Sequence, residues 1–250
     1  MELDEMARAA AISPDGKLVA IGYGGELGRG KKKVNKIGWI GFYELSSTNT
    51  IFEHQASNAA ISEVKFSASG SMAAFGSHDA KIYLYKLDKA SSPPAISKFE
   101  VFDAHRSYIT HIDFSSDDKY LQSNCGGYEL LFCDTQTGKQ IKSAKMLKDV
   151  MWDSWTCALG WPVQGIWPEF ADGTDINSVC ASASRTLITT GDDSSCVKVF
   201  RYPCLTKGAK FIQGKGHSSH VTNVRFTRDD KYIISIGGND RTTMQWKLSD

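Results

Sequence analysis

His217, Ser235 and Asp240 supply the residue types of a nucleophilic triad, in which an imidazole takes a hydroxyl proton and a carboxylate orients the ring. That chemistry also needs donors for a developing oxyanion, and nothing near these residues implies them. A buried imidazole held between a hydroxyl and a carboxylate is equally well a satisfied structural chain. With Trp246 beside them, the four residues are read as a set that locks strands together rather than as a catalytic site.

A second candidate is Gly25-Glu26-Leu27-Gly28-Arg29-Gly30-Lys31-Lys32, which nearly spells a phosphate-binding loop. Lys32 stands where the metal-binding hydroxyl belongs. The following Ile37-Gly38-Trp39-Ile40-Gly41-Phe42 reads as strand, so the helix N-terminus that would cradle phosphate is missing. Arg29, Lys31, Lys32, Lys33 and Lys36 remain a basic loop that could contact an acidic protein surface, against the plainer reading of a solvated hairpin tip. His78-Asp79 and Asp192-Asp193 resemble metal or acid–base pairs, but both fall in turns, where Asp stabilises the backbone locally. His54, His111 and His220 have no metal-ligand spacing, and no metal or cofactor is expected.

These residues sit in a recurring unit. From Gly216-His217 through Val221-Thr222-Asn223-Val224-Arg225-Phe226, Asp229-Asp230, Ser235 and Asp240 to Trp246, the last segment is a nearly complete WD repeat. Four weaker copies precede it, aligned on Ile12, Phe66, Phe114 and Cys180 against Phe226, at spacings by subtraction of 54, 48, 66 and 46 residues. A WD blade takes roughly 40–45 residues, so two units carry insertions. Turns such as Ser13-Pro14-Asp15-Gly16, Ser67-Ala68-Ser69-Gly70 and Ala181-Ser182-Ala183-Ser184 follow each alignment point. Strands such as Leu18-Val19-Ala20-Ile21 and Val197-Lys198-Val199-Phe200 follow the turns, and no segment shows a helical period.

The expected fold is therefore all-β, an atypical and incomplete WD-repeat β-propeller of five recognisable four-stranded blades plus a strand-forming insertion. One region spans residues 1–250, with units at roughly 4–53, 54–97, 98–144, 145–206 and 207–250 and insertions at 26–36 and 135–173. Within the second insertion, Asp149–Trp152 and Trp155–Leu159 are expected to be strands, and Trp152, Trp155, Trp161 and Trp167 to pack against the blades. In WD families His217, Ser235, Asp240 and Trp246 occupy the strand-locking positions. The copy around Phe114 keeps His105 and Ser123 but has Gly127 in the aspartate's place. The copy around Phe66 keeps Asp79 and has Phe75 and Tyr85 at the serine and tryptophan places. Missing blades would leave sheet faces uncovered, which implies self-association.

Composition narrows the classes of partner. Across 250 residues the formal net charge is +1, so no global field draws nucleic acid or an anionic membrane. No apolar signal core and no membrane-spanning run occurs, which implies a cytosolic chain. The 6 cysteines include no Cys-x-x-Cys pair and are expected to be free, mostly buried thiols.

Four stretches are similar to the echinoderm microtubule-associated protein-like family. They are Gly76-Ser77-His78-Asp79; Ser107-Tyr108-Ile109-Thr110-His111-Ile112-Asp113; Trp152-Asp153-Ser154-Trp155-Thr156-Cys157 with Gly165-Ile166-Trp167-Pro168; and Gly216-His217-Ser218-Ser219-His220-Val221-Thr222-Asn223-Val224. The third is the most specific, since generic WD repeats have no counterpart. The resemblance covers essentially the whole chain. It implies the C-terminal part of a tandem pair of propellers, binding tubulin or microtubules in the cytoplasmic cytoskeleton. The family's first propeller, coiled coil and hydrophobic motif have no counterpart here. The function expected is a non-catalytic interaction scaffold. The alternatives are a WD-repeat adaptor for another protein or peptide and, in a different class, a propeller or nucleotide hydrolase.

Overall fold

Short alternating strands between tight turns assemble into antiparallel sheets, each a meander in chain order. The computed structural model describes residues 3, 5–24, 36–169, 171 and 175–248. The first sheet joins β1 (Ala7–Ile12), β2 (Leu18–Tyr23), β3 (Trp39–Glu44) and β4 (Thr50–Gln55). The second joins β5 (Ile61–Phe66), β6 (Met72–Ser77), β7 (Ile82–Asp88) and β8 (Ala95–Phe102). The third joins β9 (Ile109–Phe114), β10 (Tyr120–Cys125), β11 (Leu130–Asp134) and the two-residue β12 (Gln140–Ile141). These three form one compact unit, residues 1–153. A second unit, 154–250, holds β13 (Ile176–Ala181), β14 (Leu187–Asp192), β15 (Cys196–Arg201) and β16 (Phe211–Lys215), then β17 (Val221–Phe226), β18 (Tyr232–Gly237) and β19 (Thr243–Lys247). The last sheet has three strands among the described residues, where four were expected. Among the described residues helix is confined to two 3₁₀ turns, Ala144–Leu147 and Trp161–Ile166.

One turn is repeated after the first strand of every sheet. Its leading hydroxyl accepts the amide that opens the next strand: Leu18 on Ser13 at 2.9 Å, Met72 on Ser67 at 3.2 Å, Tyr120 on Ser115 at 2.9 Å, Leu187 on Ser182 at 3.0 Å and Tyr232 on Thr227 at 3.1 Å. Its fourth residue has positive φ, which glycine adopts at no steric cost at Gly16 and Gly70. This frame corrects the alignment of the fourth copy. Ser182 leads its turn, so Ala181, not Cys180, is the counterpart of Phe226.

Glycine also sets how closely neighbouring sheets pack within a unit. A Cβ on Gly76 would lie 2.5 Å from Ile109 Cγ2, and one on Gly191 would lie 2.6 Å from Val221 Cγ1; Gly22 meets Ile61 in the same way. Each glycine faces the first strand of the following sheet, so that strand's branched residue fills the volume a side chain would take. Between the first two sheets Phe42 packs edge-to-face on Phe66 and Phe75, with ring centroids at 6.1 and 5.5 Å. Each such pair adds about 0.5–1.5 kcal/mol to the burial of its rings. Ile82, Leu84, Ile109, Ile112, Phe114 and Leu121 form the next layer. In the second unit Val197, Val221, Val224 and Ile233 do the same.

The two strands expected in the second insertion, at 149–152 and 155–159, do not form. Trp152 makes one isolated bridge, to Ser115 just beyond β9, flanked by amide bonds from Ser116 to Met151 and from Asp153 to Phe114. These contacts, and the bond from the Ala181 amide to the Trp155 carbonyl, fall at strand ends and do not run along an edge as a ladder. Trp155–Leu159 is irregular, and beyond it Pro162 and positive-φ Gly160 favour the 3₁₀ turn over extension. Trp155 is buried and donates to the Cys157 carbonyl at 2.9 Å, while Trp167 donates to the Ala158 carbonyl at 3.0 Å. Trp152 packs near Phe132. Trp161 departs from the expected packing, with 68% of its surface exposed. All six cysteines are free, and all but Cys180 are buried.

Candidate functional site

The last sheet brings His217, Ser235, Asp240 and Trp246 together. Trp246 Nε1 donates to Ser235 Oγ at 2.8 Å, Ser235 Oγ meets His217 Nε2 at 2.7 Å, and His217 Nδ1 meets Asp240 Oδ2 at 3.0 Å. Because Trp246 occupies the serine as a donor, the serine's own hydrogen goes to Nε2, which places the ring proton on Nδ1, facing Asp240. Thr242 Oγ1 also contacts Nδ1, at 2.9 Å, and the Ser218 amide donates to Asp240. Burial would raise the Asp240 carboxyl, but the bonds from the Thr242 amide, His217 and the Ser218 amide outweigh it and hold the carboxyl below its ordinary range. The proton order is that of a hydrolase triad. Ser235 is fully buried, however, so no substrate reaches its oxygen in the folded sheet.

The third sheet carries the same lock with a carboxylate that sequence reading missed. His105 Nε2 meets Ser123 Oγ at 2.7 Å, and Nδ1 faces Glu129 Oε2 at 3.3 Å. The Arg106 amide donates to Glu129 at 3.0 Å, as the Ser218 amide does to Asp240. Gly127 therefore does not leave the lock without an acid. Glutamate's extra methylene lets it act from two positions further along, a signal visible in the sequence only to a search that allows a shifted, longer acid. Burial pushes the His105 pKa down, against the opposing pull of Glu129.

The second sheet replaces the imidazole with hydroxyls. Asp79 accepts from Ser57 at 2.7 Å and from Tyr83, and Ser57 meets Ser77 at 2.9 Å. Burial and the bond to Asp79 push Tyr83 up to about 12. Phe75 lies opposite Val64 as Ser235 lies opposite Val224, so the serine place is filled by a ring. His78 does not share this network. It faces the Tyr108 ring at 5.1 Å, and burial followed by Arg8 lowers its pKa. Asp192 and Asp193 also separate: Asp192 pairs with Lys198 at 2.6 Å, Asp193 with His220 at 2.9 Å. Neither adjacent pair acts as one site.

Of the basic loop, Arg29, Lys31, Lys32 and Lys33 lie outside the described residues. Lys36 pairs with Glu53 at 2.7 Å and sits over the Tyr23 and Trp39 rings. Glu53 also accepts from Tyr43. A shallow cavity of about 410 Å³ opens beside Ser57, Asn58, Asp79, Lys81 and Tyr83. Ser57 and Tyr83 are engaged with Asp79, and Lys81 with Asp103. No described helix is long and apolar enough to cross a membrane.

The family described as "Echinoderm microtubule-associated protein second beta-propeller" matches residues 1–248. Echinoderm microtubule-associated protein-like 4 of Xenopus laevis is 39% identical over 98% of this chain and 25% of its own. Echinoderm microtubule-associated protein-like 2 of Rattus norvegicus is 38% identical over 99% of this chain and 36% of its own. The 77 kDa echinoderm microtubule-associated protein of Strongylocentrotus purpuratus is 39% identical over 98% of this chain and 34% of its own. The chain thus spans between a quarter and rather more than a third of these relatives' length. A chain from the crystal structure of a mitotic checkpoint complex superposes with a TM-score of 0.69 at 12% identity, covering 100% of this chain and 77% of that one. That likeness bears on the fold alone and agrees with a β-propeller.

Proposed function

Because the chain belongs to the echinoderm microtubule-associated protein family, as its second β-propeller, we propose that it is a non-catalytic scaffold that contributes to binding tubulin or microtubules in the cytoplasmic cytoskeleton. The observation that carries this reading is the family match over residues 1–248. The structure supports it in physical terms. Rigid sheets locked by buried hydrogen-bond chains hold many exposed turns, an arrangement suited to presenting a contact surface. The hydrolase alternative has less support, since its serine and histidine are buried and already hydrogen-bonded to strand-locking partners. The adaptor alternative differs only in the partner.

Co-sedimentation of the 250-residue chain with polymerised microtubules, alongside pull-down of soluble tubulin, tests the reading. Saturable binding that weakens with salt is expected. A folded chain that neither sediments with microtubules nor captures tubulin would overturn it.

A further inference from the structure

Beside the lock of the third sheet stands a thiol that the last sheet lacks. Cys125 lies opposite Ile109 as Gly237 lies opposite Val221, so the last sheet offers no sulfur there. Cys125 Sγ lies 3.3 Å from Glu129 Oε2, and His105 Nδ1 lies 3.3 Å from the same oxygen. The ligand atoms of all three side chains lie within 4.8 Å of one another. Bond lengths of ~2.0–2.3 Å to nitrogen, oxygen and sulfur place adjacent ligands of a tetrahedral zinc ion roughly 3.2–3.6 Å apart. The 3.3 Å nitrogen–oxygen separation fits, and the equal sulfur–oxygen separation must open by roughly 0.2 Å for the longer bond to sulfur.

We propose that His105, Cys125 and Glu129 form a binding site for a single divalent ion of the zinc class. The surroundings fit it. With an ion bound the ring takes the tautomer opposite to that of the metal-free lock: Nε2–H donates to Ser123 Oγ at 2.7 Å and Nδ1 presents its lone pair to the ion. Such a bond from the far ring nitrogen orients metal-binding histidines generally. The Arg106 amide fixes Glu129 in the same way. Gly127 puts no side chain beside the sulfur: a Cβ there would sit 3.5 Å from Cys125 Sγ and 3.4 Å from Ser107 Cβ. There the Gly127 amide donates to the sulfur at 3.4 Å, a bond that a metal-bound thiolate keeps, and water is the fourth ligand proposed. The donor set of imidazole, thiolate and carboxylate suits zinc rather than magnesium or calcium. On binding, the thiol proton passes to solvent, the ring proton moves from Nδ1 to Nε2, and the S–H and N–H bonds to Glu129 Oε2 are replaced by metal bonds from Sγ, Nδ1 and Oε2. The ion would also tie β10 to the chain before β9 in a sheet where Cys133 stands opposite Leu121, as Trp246 stands opposite Ile233.

Titrating the chelator-treated, folded chain with Co²⁺ alone tests the proposal. One ion per chain is expected, with a thiolate-to-cobalt charge-transfer band that Zn²⁺ abolishes. Cys125→Ser should lose the band, while Cys180→Ser, at the half-buried thiol, should keep it. Ser123→Ala should retain the band with roughly 10–100-fold weaker binding. Glu129→Gln keeps an oxygen for the Arg106 amide and should weaken binding by at least about tenfold, which covers the case in which Cys125→Ser does not fold. A folded wild-type chain that shows no thiolate band, a band that survives in Cys125→Ser, or unchanged affinity in Glu129→Gln overturns the site.

Discussion

Glu129 stands to His105 as Asp240 stands to His217: each carboxylate faces Nδ1 and accepts the amide that follows its histidine. The contact at His105 is longer, 3.3 Å against 3.0 Å, because the acid comes from two positions further along the turn. Removing Glu129 leaves the buried His105 without its acidic partner. Glu129→Ala should cost about 1–3 kcal/mol in denaturant unfolding. Adding Gly127→Asp to that variant should recover part of the loss, because no atom approaches a Cβ at 127 closer than 3.4 Å. No recovery would show that the acid's position cannot shift along this turn.

Ser235 and Ser123 hold equivalent places with unequal partners. Ser235 accepts from Trp246 and bonds His217, whereas Ser123 bonds His105 in a sheet where Cys133 stands opposite Leu121. Each buried polar group stripped of its partner costs roughly 1–3 kcal/mol. Ser235→Ala should therefore destabilise its unit more than Ser123→Ala does in the metal-free chain. Equal losses by chemical denaturation would mean that Trp246 adds nothing to the lock.

The repeat, its turns and its strands were legible in the sequence because each rests on local chemistry: a hydroxyl, an acid and a positive-φ residue within a few positions. His217 lies 18, 23 and 29 positions from Ser235, Asp240 and Trp246, so that set was legible from its places in the WD pattern and not from local chemistry. The Glu129 lock was hidden, since reading by fixed spacing places the acid at Gly127. The fourth copy slipped by one position because Cys180 and Ala181 are both small and apolar enough for either to end the strand. The insertion misled in a different way. Its aromatic and β-branched residues have strand propensity, but a strand needs an open edge. What it meets is the end of β9 with the turn at Ser115 and, through the Trp155 carbonyl, the end of β13.

Sheet-to-sheet packing at Gly76 predicts a steric response. A methyl group there would press on Ile109, and overpacking of this kind costs typically about 1–3 kcal/mol. Gly76→Ala should be destabilising by that amount. In combination with Ile109→Ala the two losses should sum to less than their separate values, since each relieves the other. Strict additivity in thermal or denaturant unfolding would show that the two positions are not in contact.

Acid should weaken the first unit in two stages. Burial holds His105 and His78 below their ordinary 6.5, so the unfolded chain takes up protons first, and stability falls as pH drops through 6.5. The hydrogen-bonded carboxyls of Glu129 and Asp79 are also held low, from 4.5 and 3.8, despite burial acting to raise them. Their contribution is complete above those values and is lost as pH falls through the lower folded ones. Urea midpoints measured from pH 8 to pH 3 should show both limbs. The double variant His105→Asn with His78→Asn should lose the upper limb and keep the lower.

Lys36 and the other four basic positions of the first insertion should respond differently to substitution. Lys36 is committed to Glu53 at 2.7 Å, with both side chains partly exposed, so Lys36→Gln should change stability by about 0–1 kcal/mol and leave microtubule binding nearly intact. Arg29, Lys31, Lys32 and Lys33 carry the proposed electrostatic contact with an acidic protein surface. Replacing those four with glutamine should weaken co-sedimentation at low salt and flatten its salt dependence, because screening acts on charges that are no longer there. Thermal unfolding of the four-position variant should match the wild type. A wild-type binding curve at both salt concentrations would remove the loop from the contact and assign it to another rim of the propeller.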